Sequence, residues 1–439
     1  MKKRIALLVG LLLALLTLTG AALAEGSALP AVGDTVDGFT VKSVTRFELI
    51  GADVVLFEHD KTGAQVMYLA NEDTNRVFEI TFRTTAEDET GVPHVFEHST
   101  LDGSKKYPSK ALFFNLSYQT YNTYMNAATY SVMTTYPVAS LSEEQLLKYA
   151  DYYTDSCFNP MIYEDSSIFD EECWRYSLES ADADLTIAGT VYSEMRGSYT
   201  IDSAASFNFL KTIYPGSNAG NVFGGHPDHI SEMTNDDILA YHQKYYHPSN
   251  SMTCLYGSFE DYTAFLKLLD GYFCQYDKRE IVIEDADYTP LTEPVTEVYQ
   301  YGVEEGSSTE NGSTVYYGMV IDNASEEELD QLDLLTTLLS DDSSVLMQNL
   351  KEALPSASTS CYVNIAGPET AMVFYASGVN AEDAQLFKDT VDASLAEIAQ
   401  NGFDTDAVDA IIAALRLDIL LSGESSSVGT DTIPNIMYY

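Results

Sequence analysis

The segment His94-Val95-Phe96-Glu97-His98 constrains the fold more than any other part of this sequence, because its side chains can act together only on a helix. At 3.6 residues per turn, side chains four positions apart lie one above the other on the same face. His94 and His98 can therefore reach one metal ion, while Glu97 lies beside them without having to bind it. Pro93, directly before the motif, is acceptable in the first turn of a helix.

This pattern is typical of a catalytic zinc site of the inverted H-x-x-E-H type. Neutral imidazole is a good zinc ligand, and a catalytic zinc keeps one position open for water, whose pKa it lowers to about 7. We predict one Zn²⁺ per chain, with His94 and His98 as ligands and Glu97 as the catalytic general base. A third protein ligand has to come from elsewhere in the chain.

Five segments that surround or follow the motif resemble the pitrilysin and insulinase family of inverted-motif zinc peptidases, most closely its presequence protease branch. In family order they are 101–108 (LDGSKKYP), 126–130 (NAATY), 136–140 (YPVAS), 192–197 (YSEMRG) and 241–250 (YHQKYYHPSN). The resemblance covers most of the chain after residue 24. It implies that Glu194 is the third zinc ligand and that the reaction is Glu-assisted attack of metal-activated water on a peptide bond.

The resemblance also implies how a peptide substrate binds. Residues 126–130 are expected to form an edge strand that pairs with an extended peptide, with Asn126, Ala127 and Thr129 as substrate-binding residues. An ordinary core strand is the alternative for this stretch. Leu101 resembles, by position, a residue that lines the pocket just before the cleaved bond, and simple packing is its alternative. Backbone pairing ignores side chains and therefore favours broad specificity.

The fold class expected from this resemblance is α+β, with two tandem homologous α/β domains of the pitrilysin/insulinase (LuxS/metallohydrolase-like) type. We predict a catalytic domain over 25–276, an acidic linker over 277–297 and a second, non-catalytic domain over 298–439. Alternating apolar residues predict strands and three- or four-residue spacing predicts helices. The clearest of these are strands near 54–59, 64–69, 252–256, 315–321 and 371–376, and helices near 140–153, 235–246, 259–272, 326–339, 384–398 and 408–419.

The second domain is predicted to be incomplete, because no further helix or strand follows residue 422 in the pattern. In the family, a second pair of domains closes a chamber around the substrate and helps to polarise the scissile carbonyl. The resemblance therefore implies the N-terminal half of a larger enzyme, which needs a missing C-terminal half or a second chain. A fragment, a split gene and a homodimer all remain open.

Residues 1–24 have the pattern of a bacterial-type signal peptide, with a basic start, an apolar run and a small-x-small cleavage site at Ala22-Leu23-Ala24. We expect a secreted, extracytoplasmic protein without a membrane anchor, because the apolar run is too short for a stable span. The formal net charge of −45 argues against nucleic acid as a partner and would attract basic peptides. A solvated acidic surface explains the charge equally well.

Three functions stay open at this point: a zinc metalloendopeptidase for unfolded peptides, a catalytically incomplete peptide-binding or scaffold chain, and a structural zinc site. Intact metal and base residues argue against the second, and the lack of a fourth protein ligand argues against the third.

The remaining histidines are expected to be structural or at the surface. The five cysteines, an odd number without a C-x-x-C pair, are expected to be buried free thiols.

Overall fold

The computed structural model describes residues 29–48, 51–110, 112–283, 287–322, 324–422 and 429–430. The predicted signal peptide over 1–24 lies outside them. In these ranges no helix has both the length and the apolar character needed to cross a membrane. The chain divides into two compact units. The first unit is formed by the described residues of Met1–Met195, Phe223–Ile283 and Ile419–Tyr439, and the second by those of Arg196–Val222 and Glu284–Asp418.

The described chain contains runs of strands and runs of helices. The strands are β1 (Thr35–Val36), β2 (Phe39–Phe47), β3 (Ala52–His59), β4 (Gln65–Ala70), β5 (Arg76–Arg83), β6 (Tyr124–Met125), β7 (Ala128–Thr129), β8 (Met133–Ser140), β9 (Arg175–Ser177), β10 (Thr186–Ala188), β11 (Ser251–Gly257), β12 (Ser313–Ile321), β13 (Ser358–Asn364) and β14 (Thr370–Val379). The helices are α1 (Val92–Leu101), α2 (Leu112–Gln119), α3 (Glu143–Phe158), α4 (Ser167–Glu172), α5 (Thr190–Ser198), α6 (Ile201–Ile213), α7 (Asn235–Tyr245), α8 (Thr263–Phe273), α9 (Glu326–Ser340), α10 (Val345–Ala353), α11 (Ala384–Asn401) and α12 (Thr405–Ser422).

The first unit is built on a mixed sheet with the strand order β1-β2-β3-β4-β11-β5-β8-β6, in which β7 also pairs with β8. The late strand β11 is inserted between two early ones, parallel to β4 and antiparallel to β5. Alternate residues of β5 (Phe78, Ile80 and Phe82) are buried in a core that also holds Phe96 of α1 and Tyr149 of α3. This core fixes the position of α1 against the sheet.

Helix α1 begins directly after Gly91, whose φ of 76° lies in the left-handed region. A Cβ at Gly91 would lie 2.3 Å from the Cα of Gly225, so backbone packs against backbone at this point. Glycine is the residue that tolerates both the dihedral angle and the contact. Pro93 follows in the first turn, and Val95 and Phe96 bury the side of the helix that faces the core. The start and the rotation of α1 are therefore both fixed.

The second unit contains a three-stranded antiparallel sheet in the order β12-β14-β13. One face of this sheet contributes Phe374 to a core that includes Phe387 of α11. The other face contributes Val373 to a separate cluster with Phe209 and Ile213 of α6. Helices thus cover both faces of this sheet, and α6 reaches it from a part of the sequence that precedes β11.

The predicted α+β class is confirmed, and the predicted strands and helices outside 126–130 are present, with boundaries shifted by a few residues. The stretch of the first compact unit that begins at Phe223 ends at Ile283, close to the predicted domain end near 276. Residues 196–222 group with the second unit, and the predicted domain bounds stay a prediction. Several elements were not predicted, among them strands β5 and β13 and helices α6 and α10. Residues 423–428 and 431–439, on which the predicted incompleteness partly depends, lie outside the described residues.

Candidate metal centre

Helix α1 presents His94 and His98 one turn apart on the same side. Their ring centroids are 4.9 Å apart and their planes meet at 79°. Both imidazoles are partly buried, with 13% and 23% of the side chain exposed. The arrangement is the one expected for residues four positions apart on a helix.

Each imidazole is oriented through its Nδ1 atom. His94 Nδ1 lies 3.0 Å from the carbonyl oxygen of Gly224, and His98 Nδ1 lies 3.0 Å from Oε2 of Glu172. Because a carbonyl and a carboxylate can only accept, these contacts assign the hydrogen to Nδ1 in both rings. The Nε2 lone pairs are then free to bind a metal, as in the carboxylate-histidine-zinc arrangement.

Glu194 of α5 completes a group of three potential ligands. Its Oε2 lies 3.8 Å from Nε2 of His94 and 3.5 Å from Nε2 of His98. One ligand atom from each residue lies within 4.8 Å of the others. Bonds of about 2.1 Å at tetrahedral angles put ligand atoms about 3.4 Å apart, so the donor set and its spacing fit a zinc ion. In the described part of the chain, no other group of three or more such side chains meets this criterion.

Glu97 lies on the same helix and is only 6% exposed. The hydroxyl of Thr129 donates a hydrogen bond of 2.7 Å to its Oε2. Burial raises the pKa of Glu97, and the nearby His94 and His98 oppose this shift. A buried carboxylate that is held by one hydroxyl, beside two imidazoles, has the raised proton affinity that a general base requires.

Glu172 at the end of α4 contacts the candidate site, and the sequence did not predict this. Burial lowers the pKa of His98, but the hydrogen bond to Glu172 and the charges of Glu97, Glu172 and Glu194 together outweigh it, and the net shift is upward. Burial, followed by the charges of Glu172 and Glu171, raises the pKa of the neighbouring Asp102 to about 7. Glu172 is 74 positions from His98, and no local spacing pattern connects the two.

Of the predicted substrate-binding residues, Thr129 contacts Glu97, and the stretch 126–130 is only partly a strand. Within the stretch 126–130, which was expected to be a single strand, only Ala128–Thr129 (β7) is a strand. The backbone N–H groups of Asn126 and Tyr130 also donate hydrogen bonds to the carbonyl oxygens of Pro137 and Met133 on β8. Strands β6 and β7 both pair with β8, and β6 ends the order of the sheet. The predicted strand is therefore present at the edge of the sheet but is shorter than 126–130.

The side chains of these residues differ in their surroundings. Asn126 is exposed, whereas Ala127 is 7% exposed and belongs to the hydrophobic core. Thr129 contacts Glu97 as described. Leu101 is partly buried against the same core, and its carbonyl accepts a hydrogen bond from the Tyr152 hydroxyl. Their roles towards a substrate stay predictions.

The remaining histidines lie in separate surroundings. His242 is buried between the Tyr163 hydroxyl at Nδ1 and the Cys157 carbonyl at Nε2, and burial lowers its pKa to about 4. His59 lies 2% exposed between Thr62 and Asp270. Of the cysteines, all five are free and four are buried as predicted, whereas Cys274 is exposed.

Comparisons with known proteins agree with this architecture. Residues 232–415 match the family model described as the peptidase M16 inactive domain. The chain is 32% identical over 385 residues to protein HypA of Clostridium perfringens (strain 13 / Type A), covering 87% of this chain and 40% of that protein. It is also 32% identical over 383 residues to presequence protease 1 of Arabidopsis thaliana, covering 83% of this chain and 34% of that protein. The chain belongs to the M16, or pitrilysin/insulinase, family.

The solved structures support the same fold. A protease from Helicobacter pylori superposes with a TM-score of 0.60 at 19% identity, covering 86% of this chain and 88% of that one. The present chain spans 40% of the length of HypA and 34% of the length of presequence protease 1. The matched inactive-domain segment begins at residue 232, after His94, His98 and Glu194.

Proposed function

We propose that this chain is the zinc-bearing half of a metalloendopeptidase that degrades unfolded peptides. The observation that carries the proposal is that donor atoms of His94, His98 and Glu194 lie within 4.8 Å of one another. The carboxylate of Glu97, which is not part of this group, lies on the same helix as the two histidines. A structural zinc site would ordinarily have a fourth protein ligand and no spare base. Family membership supports the peptidase reaction.

In the proposed reaction, His94, His98 and Glu194 hold the metal, which when bound acts as a Lewis acid and makes water a nucleophile at neutral pH. Glu97 accepts a proton from the attacking water and passes it to the leaving amine. The Thr129 hydroxyl, 2.7 Å from Glu97 Oε2, holds that carboxylate in one orientation. Glu172 and the Gly224 carbonyl hold the two imidazoles by their Nδ1 atoms.

The substrate is proposed to be an extended peptide at the sheet edge formed by β6 and β7. This edge carries Thr129, which contacts the base, so a peptide that pairs with it runs past the reacting atoms. Hydrogen bonds to peptide backbone give affinity without selecting side chains. The negative net charge of −45 further favours basic peptides over acidic ones.

Full activity is proposed to need a second half or a second chain that closes a chamber. The fact that the chain spans at most 40% of HypA and presequence protease 1 supports this requirement. The N-terminal pattern supports secretion of the protein. Losing one electrostatic stabiliser of the transition state costs about 10² to 10³ in rate, so the chain alone should cleave peptides weakly.

A catalytically incomplete scaffold is the second candidate, and the match to an inactive M16 domain favours it. However, the matched residues 232–415 contain none of the proposed ligands and do not include Glu97.

Cleavage of a quenched fluorescent peptide, with zinc content measured in the same samples, separates the two candidates. The chain is assayed alone, as E97Q, and with the C-terminal half of a presequence protease relative added in trans. Zinc binding with cleavage that depends on Glu97 supports the peptidase. Zinc binding without cleavage under either condition supports the scaffold, and lack of zinc binding contradicts the proposed site.

A further inference from the structure

The segment 196–222 leaves the first unit and returns to it at two points beside the metal centre. Glu194 immediately precedes Met195, the last residue of the first unit before the segment. Gly224 follows Phe223, where the chain re-enters that unit, and its carbonyl accepts the hydrogen bond from His94 Nδ1. A proposed ligand and the group that orients another ligand therefore flank the same excursion of the chain.

The two ends of this excursion are in contact within the first unit. A Cβ at Gly224 would lie 2.8 Å from Sδ of Met195 and 3.6 Å from Nδ1 of His94. The outgoing and returning chain thus pack against each other next to the imidazole. Because packed atoms cannot move independently, displacement of one end is passed to the other and to His94.

Inside the second unit, the excursion is held by α6. The rings of Phe209 and Tyr316 stack with centroids 4.9 Å apart. A Cβ at Gly318 would lie 2.5 Å from Cζ of Phe209, so the helix approaches strand β12 closely. The Tyr214 hydroxyl donates a 2.6 Å hydrogen bond to the carbonyl of Glu369. These contacts fix α6 on its sheet.

We propose that Phe209 and its contacts on α6 are positioning residues for the metal centre. By holding the excursion on the sheet of the second unit, they set the positions of Glu194 and of the Gly224 carbonyl, and thereby the affinity for zinc. The inference rests on the zinc site of the proposed function. It gives the second unit a role in metal binding through the path of the chain.

The test compares F209A with F387A in the full chain. Both changes remove a buried phenylalanine from the second unit, but Phe387 lies in the core on the opposite face of the sheet. Zinc affinity is measured by competition with a chelator, and the coordination geometry by the absorption spectrum of the Co²⁺-substituted protein. Loss of groups that orient metal ligands typically costs 10- to 100-fold in affinity. We expect at least a tenfold loss and a changed Co²⁺ spectrum for F209A, partial recovery in F209L, and neither change in F387A.

The coupling must also act in reverse, since linkage between two equilibria is reciprocal. Zinc should slow amide exchange in α6 and leave α11 unchanged. If F209A does not fold, G318A, which crowds Phe209, replaces it in the same comparison. Zinc affinity that is unchanged in the α6 variant, or equally lowered in F387A, overturns the inference. Wild-type zinc affinity in H94A would instead contradict the proposed zinc site itself.

Discussion

In both compact units, helices pack against a sheet around buried phenylalanines, yet the units differ in what else they bury. Among the described residues, the buried ionisable side chains of the first unit include Glu79, Glu97, His59 and His242. The buried polar side chains of the second unit are the neutral Ser217, Thr336, Thr370 and Ser394. All seven histidines of the sequence lie between residues 59 and 247, outside the ranges of the second unit.

This difference shows how little has to change on a shared type of scaffold to add a reactive site. Burying an ionisable group costs free energy unless it is paired or hydrogen-bonded. In the first unit, Thr129 bonds to Glu97, and Glu172 and the Gly224 carbonyl bond to the two imidazoles. The polar partners, and not the sheet, therefore distinguish the unit that carries the proposed chemistry.

The largest expected effect is loss of the metal when a proposed ligand is removed. Zinc binds small four-ligand sites with about 10–16 kcal/mol, so one ligand accounts for about 3–4 kcal/mol and H94A or H98A should lose roughly 10²- to 10³-fold in affinity. Metal analysis after dialysis measures this. H229A, which changes a partly exposed histidine paired with Glu232, is the control and should keep its zinc. Retention of zinc by H94A and H98A would contradict the claim that these residues give the first unit a metal site.

The second effect separates the base from the ligands. E97Q should keep zinc and lower any peptidase rate at least about 10²-fold, because only the proton acceptor is removed. The control is E79Q, which changes another buried carboxylate of the first unit whose hydrogen-bond partners are Thr81 and Thr135. Rates are measured with a quenched peptide at saturating zinc. An equal fall in both variants would mean that Glu97 acts only through stability.

The third effect is on pH-dependent stability and sharpens the comparison of buried charge. Burial raises the pKa of Glu79 to about 7, and one of its oxygens, Oε2, has no hydrogen-bond partner among the described residues. As pH rises, the Glu79 carboxyl therefore loses its proton at a lower pH in the unfolded chain than in the folded chain. The associated stability is fully present below about pH 4.5 and is lost as pH rises through 7, by about 2 kcal/mol between pH 5 and 8.

Urea unfolding of wild type and E79Q at these two pH values checks the effect. E79Q should abolish that part of the fall in unfolding free energy. Amide exchange that reports α11 of the second unit should not follow the substitution. A wild-type pH dependence that E79Q leaves intact would assign the titration to another group.

The smallest effect concerns the carboxylate that orients His98. E172Q keeps a hydrogen-bond acceptor but removes the charge, and should weaken zinc binding about tenfold. The neighbouring Glu171, which pairs with Lys110, provides the matched control E171Q. Chelator competition measures both. Identical affinities in the two variants would limit Glu172 to a packing role.

The sequence predicted those parts of the molecule that depend on local spacing. His94 and His98 lie on one helical turn, and the stripe of Phe387 and Val391 lies on α11, because helix geometry alone relates such residues. Glu194 was identified only through family resemblance, since 96 residues of chain separate it from His98 and no spacing rule spans that interval.

The parts that could not be predicted depend on long-range contacts. The grouping of α6 with the second unit follows from Phe209 meeting Tyr316, which are 107 positions apart. The expected strand over 126–130 is shortened to β7, with single backbone hydrogen bonds from Asn126 to Pro137 and from Tyr130 to Met133 on either side of it. None of these contacts leaves a periodic signal in its own segment.

The backbone contact between Gly91 and Gly225 has a consequence for how tolerant the chain is to mutation. Both residues have positive φ, 76° and 100°, and a Cβ on either one would meet atoms within 3.0 Å. Neither residue carries a functional group. A saturation mutagenesis screen for zinc retention should nevertheless reject nearly every substitution at both positions, as it would at the ligands. Intolerance to substitution around this helix therefore marks where two chain segments touch as much as where chemistry takes place.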